Sequence, residues 1–165
     1  MMLDILESIC GRLESGRAVE PRDLDAILAV IGSFVRPHHA LGENLVLSVV
    51  DEAGVSIEGG ALLVMMTERK KLLEHVRNLR AGIERYKEGD RRAVEDIIRT
   101  GRSYIDILRR QMKIEEEDIY PRLDMHLSPR QQSELVARLE QSGSYWKYEA
   151  LQKLTELKER YLSNN

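Results

Sequence analysis

A single cysteine, Cys10, rules out any intrachain disulfide, so the fold must be held by burial and hydrogen bonding. Four prolines and 11 glycines in 165 residues are too few for a loop-rich architecture, and aromatic residues make up only 5%. No stretch approaches the roughly 18 consecutive apolar residues of a membrane span. No basic-then-apolar leader opens the chain, so cytoplasmic residence is the expectation. Neither charge sign dominates: 25 Lys and Arg stand against 28 Asp and Glu, a formal charge of -3, which provides no basic footprint for nucleic acid or an anionic membrane. Also missing are a Gly-rich phosphate loop, a nucleophile-elbow motif, a Cys-x-x-Cys pair and the Glu-x-x-His pairs of ferritin-like oxidases. These absences predict a protein that is not an enzyme.

What the chain does have is 42% hydrophobic and 32% charged residues, the balance of a highly helical protein with ion-paired faces, and enough length for one domain, 1–165, with its own core. Apolar residues recur at helical spacing almost throughout. Leu3, Ile5, Leu6, Ile9, Cys10 and Leu13 predict a short first helix ending at Ser15-Gly16. Pro21, a favourable first-turn residue, opens a second helix carried by Leu24, Ile27, Leu28 and Ile31 toward Val50, with a kink at Pro37. After a loop at 54–60, Leu62, Met66, Leu72, Leu79 and Ile83 mark a third helix closed by Gly89. Asp90 is the expected N-cap of a fourth, which runs through Ile97, Tyr104, Ile105 and Met112 to Ile119 and weakens at Pro121. Ser128-Pro129 predicts a restart, and the residues from Trp146 to Tyr161 a last helix that either covers a bundle face or makes a symmetric contact. Four long helices with short connections predict an all-α, up-down-up-down four-helix bundle with an additional C-terminal helix.

Two polar pairs punctuate this pattern. His39 and Glu43 on the second helix, and Gln111 and Glu115 on the fourth, are each four residues apart and therefore share a helical face. Such facing pairs suit an interior metal site. Met65, Met66 and Met112 read as core filling, Cys10 as buried rather than reactive, and His75 and His126 as surface residues.

The segment 34–44, with His38-His39 followed by Glu43, resembles the second helix of the hemerythrin-like HHE cation-binding domain family. Three further blocks follow in that family's order. Gly59-Gly60 leading to Met65-Met66-Thr67-Glu68-Arg69 is similar to its Gly-Gly stretch before Met-x-x-Glu-His. Gln111-x-x-x-Glu115 before Tyr120-Pro121 is similar to its fourth-helix His-x-x-x-Glu block, and Leu127-Ser128-Pro129 to its next helix start. The resemblance implies a bundle that holds two irons among histidines and carboxylates, usually for oxygen or redox sensing. It makes His39, Glu43 and Glu115 the residual metal ligands, with His38 a less favoured one. It also puts Arg69 and Gln111 where the family has histidines and leaves the first-helix histidine upstream of Met1, through either a mis-assigned start or a genuine truncation.

A guanidinium held about 4 Å from a divalent ion at an effective dielectric near 20 would be repelled by roughly 8 kcal/mol, and an amide oxygen is a poor substitute for imidazole. The expectation is a degenerate site in which Arg69 replaces the metal charge between Glu43 and Glu115, in a regulatory or interaction module with no cofactor. The alternative is a reduced site holding Fe, Mn or Zn in a redox sensor or cation-binding protein. A homodimer and an unidentified protein partner are both compatible with this reading.

Overall fold

The computed structural model describes residues 1–33, 61–143 and 147–163, and among these the chain is all-α, with no strand. Helix α1 spans Met2–Glu14 and buries Leu3, Ile5, Leu6, Ile9, Cys10 and Leu13, the stripe its spacing predicts. It ends in a Schellman motif. Gly16 takes φ 71°, its N–H donates to Leu13 O at 3.0 Å, and the Arg17 N–H donates to Arg12 O at 3.0 Å. Residues 21–33 form the described part of α2, beginning at Pro21 and burying Leu24, Ile27, Leu28, Val30 and Ile31. The predicted kink at Pro37 and loop at 54–60 lie outside the described residues.

Helix α3, Ala61–Lys87, closes as α1 does: Gly89 takes φ 87°, and its N–H and that of Asp90 return to Tyr86 O and Arg85 O, each at 3.0 Å. Helix α4, Ala93–Ile114, starts slightly later than the expected cap at Asp90. Asp90 still does the capping chemistry: its carboxylate accepts the Arg92 N–H at 2.9 Å, which stabilises a separate turn before the helix proper.

After α4 the chain does not break. One wide π turn, Glu115–Ile119, leads into α5, Tyr120–His126, and the Tyr120 N–H reaches back to Glu115 O. Pro121 explains the widening, because it has no N–H to donate and its ring would collide with a carbonyl one regular turn earlier. Helix α6, Pro129–Gly143, begins with a reciprocal capping box. Gln131 Oε1 accepts from Ser128 N at 3.0 Å and Ser128 Oγ at 2.8 Å, while the Gln131 N–H donates back to Ser128 Oγ at 3.4 Å. Helix α7 is Lys147–Tyr161.

Helix α4 packs against both α1 and α3. Pairings of Asp4 with Arg109 and Glu14 with Arg102 make α1 antiparallel to α4, and those of Glu68 with Arg110 and Arg85 with Asp96 do the same for α3. Helix α7 covers α1 with Ala150, Leu154, Leu157 and Tyr161 buried. Its last turn is a polar clasp. Ser8 Oγ donates to Tyr161 O at 2.9 Å, the Arg12 guanidinium lies 4.9 Å from the Tyr161 ring centroid, and buried Asp23 accepts from Tyr161 Oη at 2.8 Å and from Arg160.

Helices α1 and α4 pack tightly at Gly101, where an added Cβ would stand 2.7 Å from Cys10 Sγ. Cys10 is fully buried and has no room to retreat. Gly101→Ala should therefore lose about 1–2 kcal/mol: overpacking costs about 1–3, and the better helix propensity of alanine returns up to about 1. Urea denaturation should also find the Cys10→Ala/Gly101→Ala double variant more stable than Gly101→Ala alone, since the new methyl then occupies the space left by the sulfur.

Candidate functional site

The inward stripe of α4 is not wholly apolar. Ile97, Thr100, Tyr104, Ile107 and Gln111 follow helical spacing and all are buried, Gln111 at 1% exposure. Across the seam, Glu68 of α3 is 7% exposed and shares its face with Leu72, Leu79 and Ile83. Arg110 binds it from the α4 rim: both Nε, at 2.8 Å, and Nη2, at 2.6 Å, reach Glu68 Oε1. Glu68 Oε2 is buried and has no hydrogen-bond partner among the described residues, and the same holds for the Tyr104 hydroxyl. Burial pushes the Tyr104 pKa well above the usual tyrosine value, so it stays a neutral hydroxyl.

His38, His39 and Glu43 lie outside the described residues. Arg69 is half-buried on α3, and Arg69, Gln111 and Glu115 are each engaged in polar or ring contacts. Glu115 is half-buried at the start of the π turn, where its carboxylate accepts from Tyr120 Oη at 3.4 Å. Burial first, and the neighbouring Glu115 charge second, raise the Tyr120 pKa. Among the described residues no three His, Cys, Asp or Glu side chains come together as a metal site.

The Glu68–Arg110 pair is not among the charges that the sequence singles out. Its signal was nonetheless there: Glu68 is four residues before Leu72 and eleven before Leu79, on the apolar stripe itself. The structure bears on two further expectations. Cys10 is fully buried, and burial drives its thiol pKa up to about 11, so it is no nucleophile at neutral pH. Met112, read as core filling, is instead 47% exposed.

Among the described residues no helix is long and apolar enough to cross a membrane. No protein-family model matches the chain, and no curated protein or solved structure shows significant similarity to it.

Two outcomes follow from this geometry. Arg110→Met strips Glu68 of its cation and should cost roughly 1–3 kcal/mol, discounted from the value for a fully buried pair because Arg110 is more than half exposed. The Glu68→Met/Arg110→Met variant should recover most of that loss in thermal melts, since no charge is then left buried alone. Cys10 makes stability fall in alkali. The folded state keeps its proton up to about pH 11 and the unfolded chain only to about 9.0, so stability from this group is complete below pH 9 and disappears as pH rises through that window. The full loss is about 2–3 kcal/mol. Chemical denaturation of Cys10→Ala should show a flatter decline just above pH 9 than the parent chain.

Proposed function

We propose that this chain is a hemerythrin-like, up-down-up-down four-helix bundle with an added C-terminal helix, that its di-iron centre has been lost, and that it serves as a regulatory or interaction module rather than an enzyme. The observation that carries the reading is the pairing of buried Glu68 with Arg110 on the α3–α4 seam. On this seam a guanidinium at the rim balances a buried carboxylate.

The donor set from α3 and α4 does not fit a di-iron centre. Where the resembled family has histidines there stand a guanidinium, Arg69, and an amide, Gln111, and one oxygen of the adjacent Glu68 is already taken by Arg110. Glu115 keeps its carboxylate but shares it with Tyr120. Arg69 is assigned the remaining charge, set between Glu115 and Glu43, with His39 completing the hydrogen bonds. What such a bundle retains is rigidity and surface, the two properties of a module that acts through another protein.

A reduced metal site is the alternative. It would use His39, Glu43 and Glu115, with His38 or water, and would have open positions for a single Fe, Mn or Zn ion.

Elemental analysis of tag-free protein from iron-supplemented cells, read beside its absorption spectrum, separates the two. Substoichiometric metal and a featureless near-ultraviolet tail are expected. Near-stoichiometric iron with an oxo-bridge band would overturn the reading. Arg69→His/Gln111→His should bind iron at least about tenfold more tightly than the parent chain, since it restores two imidazoles and removes a cation.

A further inference from the structure

Helix α4 pairs every cation it carries: Arg99, Arg102, Arg109, Arg110 and Lys113 each meet a carboxylate. At the end of α3 the same is true, with Arg85 on Asp96 and Lys87 on Asp25 and Glu84. Earlier on α3 it is not. Lys70, Lys71, Arg77 and Arg80 are all exposed, and among the described residues no acid pairs with them. Glu68 is already held by Arg110, which leaves Glu74 as the one exposed acid in this stretch.

Two of these cations belong to a pattern that α4 displays in use. Lys70, Leu73, Glu74 and Arg77 stand at the same spacing as Arg102, Ile105, Asp106 and Arg109: a cation, an aliphatic residue three on, an acid four on and a cation seven on. Seven residues make nearly two turns, so the two cations share one side of the helix with the aliphatic residue between them. On α4 that side is occupied. Glu7 of α1 bridges Arg102 and Arg109, Glu14 pairs with Arg102 and Asp4 with Arg109, and Ile105 is 1% exposed. Asp106 stays exposed and does not prevent the contact. On α3 the corresponding side is open: Leu73 is 39% exposed, and Arg80 adds a third cation one turn past Arg77.

We propose that the Lys70–Leu73–Arg77–Arg80 face of α3 is a docking site for an acidic amphipathic helix of another protein, laid on α3 as α1 is laid on α4. Charge selects this occupant, because a basic helix would be repelled by three cations and a neutral one would leave them unpaired. One exposed leucine is a small apolar contact, so the complex is weak and salt-sensitive. The proposal gives the interaction module described above a partner of stated chemistry, and it stands whether or not metal binds.

The test uses a fluorescein-labelled leucine–glutamate peptide with its acids three and seven residues apart, the spacing of Asp4, Glu7 and Glu14. A leucine–glutamine peptide of the same pattern is the control, and anisotropy is followed as the full chain is added at low and high salt. The glutamate peptide should bind at low salt, weaken as salt rises, and bind at least about tenfold less tightly to Lys70→Glu/Arg77→Glu and to Lys70→Gln/Arg77→Gln. Arg91→Glu/Arg92→Glu changes the net charge equally at two exposed positions outside the face and should bind nearly as the parent does. Equal loss in the two charge-reversed variants, equal binding to parent and all variants, or equally tight binding of the glutamine peptide overturns the proposal. A single-stranded oligonucleotide that binds more tightly than the peptide, and depends on Lys70 and Arg77, would also overturn it by assigning the face to nucleic acid. Sedimentation velocity of the chain alone should give a monomer, and a dimer abolished by Lys70→Glu/Arg77→Glu would overturn it in favour of a second copy. Both positions are exposed, so melting curves should hardly move, and should the glutamate variant unfold, Lys70→Gln/Arg77→Gln decides.

Discussion

At Gly101 and Gly82, α4 meets its two neighbours by seating a side chain of one helix against a glycine of the other. Cys10 Sγ of α1 occupies the space of the missing Cβ at Gly101, and Ile97 Cγ1 of α4 sits 3.1 Å from where one would be at Gly82 of α3. These contacts set the distance between helices and so determine which further side chains can meet. The ion pairs along both seams, Arg102 and Arg109 with the α1 acids and Arg85 with Asp96, are partly exposed and individually modest. They fix direction and register, while the close-packed apolar centre supplies most of the stabilisation.

The same packing creates the polar interior. A carboxylate at position 68 falls on the apolar stripe of α3 because Leu72, Leu79 and Ile83 bring that face inward, and burying it is tolerated because Arg110 can lay its stem along the rim and place its guanidinium over Glu68. A partly exposed arginine is a cheaper counter-ion than a fully buried one, since one side of its charge stays hydrated. Such a pair needs no supply of metal.

Much of the fold could be read from residue spacing. The buried faces of α1 and α2, the left-handed glycines at 16 and 89, and the restart at Ser128-Pro129 all follow from local rules, which act over a few residues and leave a clear pattern. The site was less legible. Arg69 and Glu68 are neighbours in sequence but point about 100° apart on a helix, so a reading that followed Arg69 did not weigh the face that carries Glu68. Met112 was misread because its helical phase is that of a covered residue, and phase alone does not say how far along a helix its neighbours cover it. The π turn could be anticipated only as a weakening at Pro121, since the backbone could equally have kinked or stopped there.

The clasp at the end of α7 joins partners far apart along the chain: Tyr161 reaches Asp23 across 138 positions and Ser8 across 153. While the chain is being made, Asp23 therefore has neither its guanidinium nor its phenol until residues 160 and 161 have emerged from the ribosome. Until then the first two helices form a surface that is apolar and acidic but uncovered, the kind of nascent segment that chaperones retain. A chain cut short before Arg160 would leave the Asp23 carboxylate without the phenol and the guanidinium that enclose it, with only the exposed Arg22 beside it.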